Sequence, residues 1–418
     1  MEISRRSLLK AAAGGLIGGA AVACSPENQN TSQENVVIDP LVAEAPEIDQ
    51  NDYLARVEKA KRLLAENRID GLMITGGTAL KYFGNVNWWP SERLFAMVIL
   101  KEGNPVFVSP AFEGERALEQ INPDYSLRTW EEDESPFELV KGIFTDHNYP
   151  NARVAIEERV RFFESDGLRK VAPNFEIVSG DPVTIGCRAR KTAKELEIMR
   201  RANRLTVKVY SNAHGRLEAG MTENDTRQIF REEFRKLGVS GGAMVLHGEN
   251  SAYPHGTKNR LPLKDGTVVL VDGGFKLNGY SSDISRTWVF GEPTQKQIEV
   301  WNVVKEAQSA ALEAAKVGNT CGDVDAAARQ VLTDRGYGPD YKYLTHRVGH
   351  GIGMDGHEWP YLVRGNSLPL APGMTFSDEP GIYIYGEFGI RLEDIMYIDE
   401  DGTGKLFTEQ SPSIHQPF

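Results

Sequence analysis

Four acids and one imidazole carry the chemistry most readily read from this sequence. The β-forming run Thr267-Val268-Val269-Leu270-Val271 ends in Asp272-Gly273-Gly274, and a second acid, Asp283, follows the turn dipeptide Asn278-Gly279. If that dipeptide closes a hairpin, Asp272 faces Ser285 and Asp283 lies diagonally on the same face, about 7–8 Å away between backbones. Two carboxylates would then converge on one point. The device recurs downstream, where Glu379 precedes Pro380-Gly381-Ile382-Tyr383, Glu393 follows Arg391-Leu392, and Gly386 stands midway between them. The imidazole is His350, in Thr345-His346-Arg347-Val348-Gly349-His350-Gly351-Ile352-Gly353, whose glycines permit close backbone approach.

Carboxylates brought together repel and raise one another's pKa, so four in a buried cluster require cations. Four carboxylates and an imidazole form a hard, oxygen-rich set that suits manganese, iron, cobalt or zinc, and acids able to bridge are what a two-metal hydrolase uses. Asp272 alone reads as turn chemistry, since Asp-Gly-Gly is common in turns; the other four residues turn the reading toward metal. His346 and His350 stand four apart, as a zinc pair on a helix would, but glycines at 349, 351 and 353 argue against a helix.

The elements that must position these residues form two blocks. From Asp52 an amphipathic helix carries Leu54, Val57 and Leu64 on its apolar face and ends near Asp70-Gly71. Strand-like runs follow at 72–74, 94–100, 105–108 and 153–156, with a helix near 113–120; this alternation is α/β. A second block begins near 180. Capping boxes at Thr192/Glu195, Thr222/Asp225 and Thr294/Gln297 open three helices, the second stopping at Gly238. Between and after them the chain is β-rich at 267–271, 280–290 and 374–397, which reads as α+β with antiparallel hairpins.

The 418 residues, 40% hydrophobic and 25% charged, suit a globular protein of two domains plus a tail. A net charge of -12 leaves no clustered basic excess for a phosphate backbone, so nucleic acid is excluded as a partner. Cys24, Cys187 and Cys321 offer neither metal-ligand spacing nor a disulfide framework. The start reads as an address: Ser4-Arg5-Arg6-Ser7-Leu8-Leu9-Lys10, then an Ala/Gly stretch to Ala23, resembles a twin-arginine export signal, against a chance arginine pair as the bland alternative. Both cleavage readings, a small-x-small site at 21–23 and a loose lipoprotein box at 22–24, cut before Cys24. The first predicts a periplasmic protein, the second a lipid anchor on Cys24 as its one membrane contact. Residues 24–50 lack aromatics and are rich in polar residues and Pro, which predicts a disordered linker.

The order VDGG, SSDISRT, HRVGHGIG, DEPGIY and IRLED resembles the pita-bread metallopeptidases, and within them the Xaa-Pro branch of prolidase and aminopeptidase P. It covers most of 185–410, and the preceding block is similar to that branch's creatinase-like domain. After the signal at 1–23 and the linker at 24–50, the resemblance implies an α/β creatinase-like domain at 51–180 and an α+β pita-bread catalytic domain at 181–418. It implies that Asp272 holds one metal, Asp283 and Glu393 bridge two, and His350 and Glu379 hold the other, manganese being favoured. It places His255 at the substrate carbonyl or oxyanion and His357 at the scissile bond. His346 and Arg391 would orient substrate or carboxylates, and Glu379 would shuttle protons. The implied reaction is cleavage before proline, in Xaa-Pro dipeptides or at the N-terminus of Xaa-Pro peptides, by a hydroxide that two ions activate, in a homodimer or higher homo-oligomer.

A same-fold relative doing other work is the alternative, either a creatinase-like hydrolase without metal or a non-enzymatic binding module. Retention of all five ligand positions speaks against both. A methionine aminopeptidase fits less well, given the preceding α/β block and the Arg391-Leu392-Glu393 context. Glu358 is read as either a solvated charge or a partner of the site, Trp88-Trp89 as core or interface, and His247 and His415 as surface or hydrogen-bonded residues.

Overall fold

Continuous apolar runs in the first block require a sheet covered on both faces. The computed structural model describes residues 36–418 and shows that sheet, with every residue of Gly71–Thr75, Ala96–Leu100 and Val106–Pro110 buried. Across the six strands the order is Ser126–Trp130, Val106–Pro110, Ala96–Leu100, Gly71–Thr75, Arg153–Ile156 and Glu176–Ser179. Alternation splits their side chains: Leu72, Ile74, Met97 and Ile99 join a cluster with Val57 and Leu64 of helix Gln50–Glu66, while Met73, Val98 and Leu100 join Val140 and Phe144 of helix Pro136–Asp146. The outer strands Ser126–Trp130 and Glu176–Ser179 escape sequence reading because they are half exposed and lack an apolar run. Leu54, expected on the buried face of its helix, is exposed; the buried stripe is Tyr53, Arg56, Val57, Ala60 and Leu64.

The linker expected at 24–50 is corrected for its second half. Val37 donates its backbone N–H to the Lys236 carbonyl, and buried Asp39 accepts from Leu41 N–H and from Lys208 Nζ at 2.6 Å. Asp49 then caps helix Gln50–Glu66. These anchors are backbone bonds and a buried acid, which a polar composition conceals. The export signal at 1–23, Cys24 and the rest of the linker to residue 35 lie outside the described residues.

In the second block the three capping boxes open helices Ala193–His214, Glu223–Lys236 and Gln295–Ala314 as expected. A fourth, Thr320/Asp323, opens helix Cys321–Asp334, which the sequence reading did not identify. Thr267–Leu277 lies between Gly241–His247 and Ile284–Phe290, antiparallel to both, and Asp272 pairs with Ser285 as the hairpin register requires. Asn278 (φ 46°) and Gly279 (φ 89°) both take the left-handed conformation of a type I′ turn, which any residue but Gly or Asn adopts at a cost. The remaining strands form a five-stranded sheet and a separate hairpin, Gly381–Ile384 with Phe388–Arg391. The whole is an α/β lobe followed by an α+β lobe. Buried Arg56 ties them, donating to Glu195 at 2.8 Å and to the Tyr280 hydroxyl at 2.6 Å.

Candidate metal centre

Strands and their junctions deliver each acid. Asp272 sits within Thr267–Leu277, and Asp283 immediately precedes Ile284–Phe290. Asp378 pairs with Asp394 and Gly381 with Arg391, so Glu379 and Glu393 face each other where one ladder gives way to the next in a single register. His350 is the middle residue of Gly349–Gly351, beside strand Thr375–Asp378. A Cβ on Gly349 would lie 1.9 Å from the Ser377 carbonyl oxygen, so only glycine lets these backbones approach so closely. The approach brings Ser377 into play: its Oγ accepts from His350 N–H at 2.9 Å and donates to Glu379 Oε1 at 3.0 Å.

The five expected ligands converge. Ligand atoms of Asp272, Asp283 and Glu393 lie within 4.8 Å of one another, as do those of His350, Glu379 and Glu393, and those of Asp283, His350 and His357. Glu393 belongs to the first two groups and Asp283 to the first and third. His350 Nε2 stands 3.3 Å from Glu379 and 3.9 Å from Asp283, while Nδ1 is 3.1 Å from the Gly351 carbonyl. That carbonyl requires the proton on Nδ1, which leaves the Nε2 lone pair facing the acids.

Burial pushes the Asp283 and Glu393 carboxyls far above the usual range, and neighbouring carboxylates push the same way. Burial also pushes the His350 imidazole down to about 4, so it is neutral, the form that binds metal, at pH 7. Glu393 Oε1 is buried with no hydrogen-bond partner. Arg391 is the guanidinium that faces the acids, with Nη2 2.7 Å from Asp272 Oδ2. One such charge against four carboxylates leaves the site short of positive charge and an oxygen unsatisfied, and divalent metal ions fit both deficits.

His255, His346, His357 and Arg391 line the same cleft as the five ligands, a space of about 220 Å³. The His357 ring stacks on His350 with centroids 3.7 Å apart, and exposed His255 stands at the rim. The Tyr383 hydroxyl, 2.7 Å from His346 Nε2, also accepts from Arg391 Nη1 at 3.1 Å. Tyr383, Ser285 and Ser377 were missed by sequence reading, although the first two stand inside the recognised motifs. A hydroxyl that serves a carboxylate has no spacing signature of its own. Glu358 is buried and paired with Arg188 and Lys191, so the solvated reading fails. His247 is buried against the Leu261 carbonyl and His415 is exposed; Trp88 stacks on Phe95, and Trp89 is exposed.

Known proteins share this sequence pattern and this fold. Residues 56–190 match the Creatinase/Prolidase N-terminal domain and residues 197–400 match Metallopeptidase family M24. The chain is 34% identical to an Xaa-Pro dipeptidase of Lactobacillus helveticus, over 86% of this chain and 98% of that protein. The crystal structure of dipeptidase PepE from Mycobacterium ulcerans superposes with a TM-score of 0.83 at 31% identity, covering 88% of this chain and 99% of that one. A recombinant prolidase from Thermococcus sibiricus superposes at 0.78 with 28% identity, covering 87% and 98%.

Proposed function

This chain belongs to metallopeptidase family M24, and we propose that it hydrolyses the peptide bond preceding proline in Xaa-Pro dipeptides. It is a metallopeptidase with a creatinase-type amino-terminal domain and a pita-bread catalytic domain, which sets aside the non-enzymatic alternative. The observation that carries the substrate reading is the convergence of five metal-ligand side chains with three further histidines and Arg391 in one small cleft. The relatives named as dipeptidases and prolidases support the same reading.

In this reading Asp272 would hold one ion, His350 and Glu379 the other, and Asp283 and Glu393 would serve both. Bound there, divalent ions, manganese in our reading, would supply Lewis acidity for the attacking water and the scissile carbonyl. Glu379, steadied by Ser377 Oγ, would hold the proton released by the attacking water and pass one to the leaving imino nitrogen. His255 donates to the developing oxyanion from the rim, and His357 assists the scissile bond. His346 and Arg391, joined through the Tyr383 hydroxyl, orient substrate and hold Asp272. The enzyme works as a homo-oligomer, exported folded by the twin-arginine signal at 4–10 and cut before Cys24; mass analysis of the mature N-terminus after expression tests the last step.

The deciding experiment compares an Xaa-Pro dipeptide with a matched Xaa-Pro-Yaa tripeptide, with added manganese, after chelation, and with Asp283→Ala. Cleavage of the dipeptide that is lost on chelation and in the variant is the expected result. Preference for the tripeptide would make it an aminopeptidase, and metal binding without cleavage of either peptide would overturn the proline-directed reading.

A further inference from the structure

The chain between Gly349–Gly351 and Glu358–Leu362 carries His357 without regular secondary structure. Among the described residues the His357 ring makes no hydrogen bond, and its one aromatic partner is His350. Its backbone must therefore set where the ring stands, and the amino-terminal lobe grips that backbone. Thr78 Oγ1 donates to Asp355 Oδ1 at 2.7 Å, and Arg188 Nη2 and Arg159 Nη1 lie 2.7 and 3.1 Å from Asp355 Oδ2. Arg159 Nη2 donates to the His357 carbonyl itself at 3.2 Å. On the far side of His357, Glu358 is held between Arg188 at 2.5 Å and Lys191 at 2.7 Å, all three side chains largely buried. Thr78, Arg159 and Arg188 all fall within the creatinase-type domain.

The grip brackets His357 in sequence, with Asp355 before it and Glu358 after. Charge-assisted bonds of this kind fix a loop at hydrogen-bond precision, and a fixed loop fixes the ring it carries. A device serving only to hold the lobes together would have no need to reach the His357 carbonyl. We propose that Asp355, with Arg159 and Arg188, is a positioning residue for His357, so that the amino-terminal lobe sets the leaving-group side of the catalytic cleft. The inference rests on the role given to His357 above.

Two variants test it, Asp355→Asn, which turns an amide toward two guanidinium groups, and Arg159→Gln, whose exposed side chain can be replaced without disturbing a core. Each is expected to lower kcat by roughly tenfold to a hundredfold, the scale of a misplaced catalytic group, with KM little changed. In a His357→Ala background the same substitutions should change kcat by less than about twofold, because they act through a residue no longer there. Loss of the full factor in that background would overturn the proposal. A second readout is independent of turnover: the His357 Cε1–Hε1 NMR signal, identified by its absence in His357→Ala, recorded on metal-free and zinc-loaded protein. It should shift and broaden in both variants, and an unchanged signal would overturn the proposal. Should the parent enzyme cleave neither peptide, the substrate reading fails while this signal still decides the positioning claim.

Discussion

Ser285 holds Glu393 twice, its carbonyl accepting from the Glu393 N–H at 3.1 Å and its Oγ donating to Glu393 Oε2 at 2.6 Å. Both bonds leave Oε1 buried and bare, turned to the point where the other acids meet. The same Oγ accepts from Arg391 Nε at 2.9 Å, so one hydroxyl steadies an expected bridging ligand and the guanidinium that holds Asp272.

Ser285→Ala removes that hydroxyl and leaves Glu393 Oε2 and Arg391 Nε each without this partner. Loss of a group that orients a ligand typically weakens metal binding 10–100-fold, and a drop of about that size is expected here. Competition with a chelating dye measures it, and unchanged affinity would count against the orienting role.

The metal-free protein should have a distinctive pH response. Burial, reinforced by neighbouring carboxylates, raises Asp283 and Glu393 well above the usual range, so the folded chain binds these protons more tightly than the unfolded chain. Their contribution to stability is therefore full in acid and is lost as pH rises from about 4 through the raised values. His350, pushed down to about 4 by burial, acts oppositely and loses stability as pH falls below about 6.5. Bound divalent ions should cancel the first effect. Over a pH series from about 4 upward, chelated protein is expected to lose more melting temperature than manganese-loaded protein, and Asp283→Asn to lessen that loss. Calorimetry of the three samples checks the sign.

The sequence exposed the site more fully than the fold. Asn278-Gly279 specified a turn, the turn specified a register, and the register placed Asp272 opposite Ser285 with Asp283 beside it. Glu379 and Glu393 followed from the same logic around Gly386. What stayed hidden had no periodic signal: Ser126–Trp130 and Glu176–Ser179 are half-exposed outer strands, and residues 36–49 are anchored by backbone bonds and by buried Asp39, paired with half-exposed Lys208, within a polar stretch. The hydroxyls of Ser285, Ser377 and Tyr383 matter only through tertiary contacts, which residue spacing does not encode.

Arg391→Lys tests the geometry of the cation rather than its charge. The guanidinium bonds Ser285 Oγ, Tyr383 OH, the Pro254 carbonyl and Asp272 together, a spread that an ammonium cannot reproduce. The substitution should cost about 1–3 kcal/mol, the scale for leaving buried hydrogen-bond partners unsatisfied, and should lower kcat/KM as Asp272 loses its anchor. Denaturant unfolding checks the first figure. A variant within about 0.5 kcal/mol of the parent would mean that charge alone suffices, since that is the range of neutral surface changes.

Gly349→Ala asks whether the closeness of two backbones makes the site. The new methyl would sit 1.9 Å from the Ser377 carbonyl, and backbone cannot yield as a side-chain tip can, so strand Gly349–Gly351 must move away from Thr375–Asp378. That motion separates His350 from Ser377 and from Glu379, 3.3 Å away. A cost at or above the 1–3 kcal/mol of ordinary overpacking is expected, together with loss of metal binding. Gly356→Ala is the matched control, because a Cβ there meets nothing within 4 Å. It lies beside His357 in the same loop, yet should leave stability and metal affinity unchanged. Equal damage from both substitutions would trace the effect to loop glycines in general and not to the Gly349–Ser377 approach.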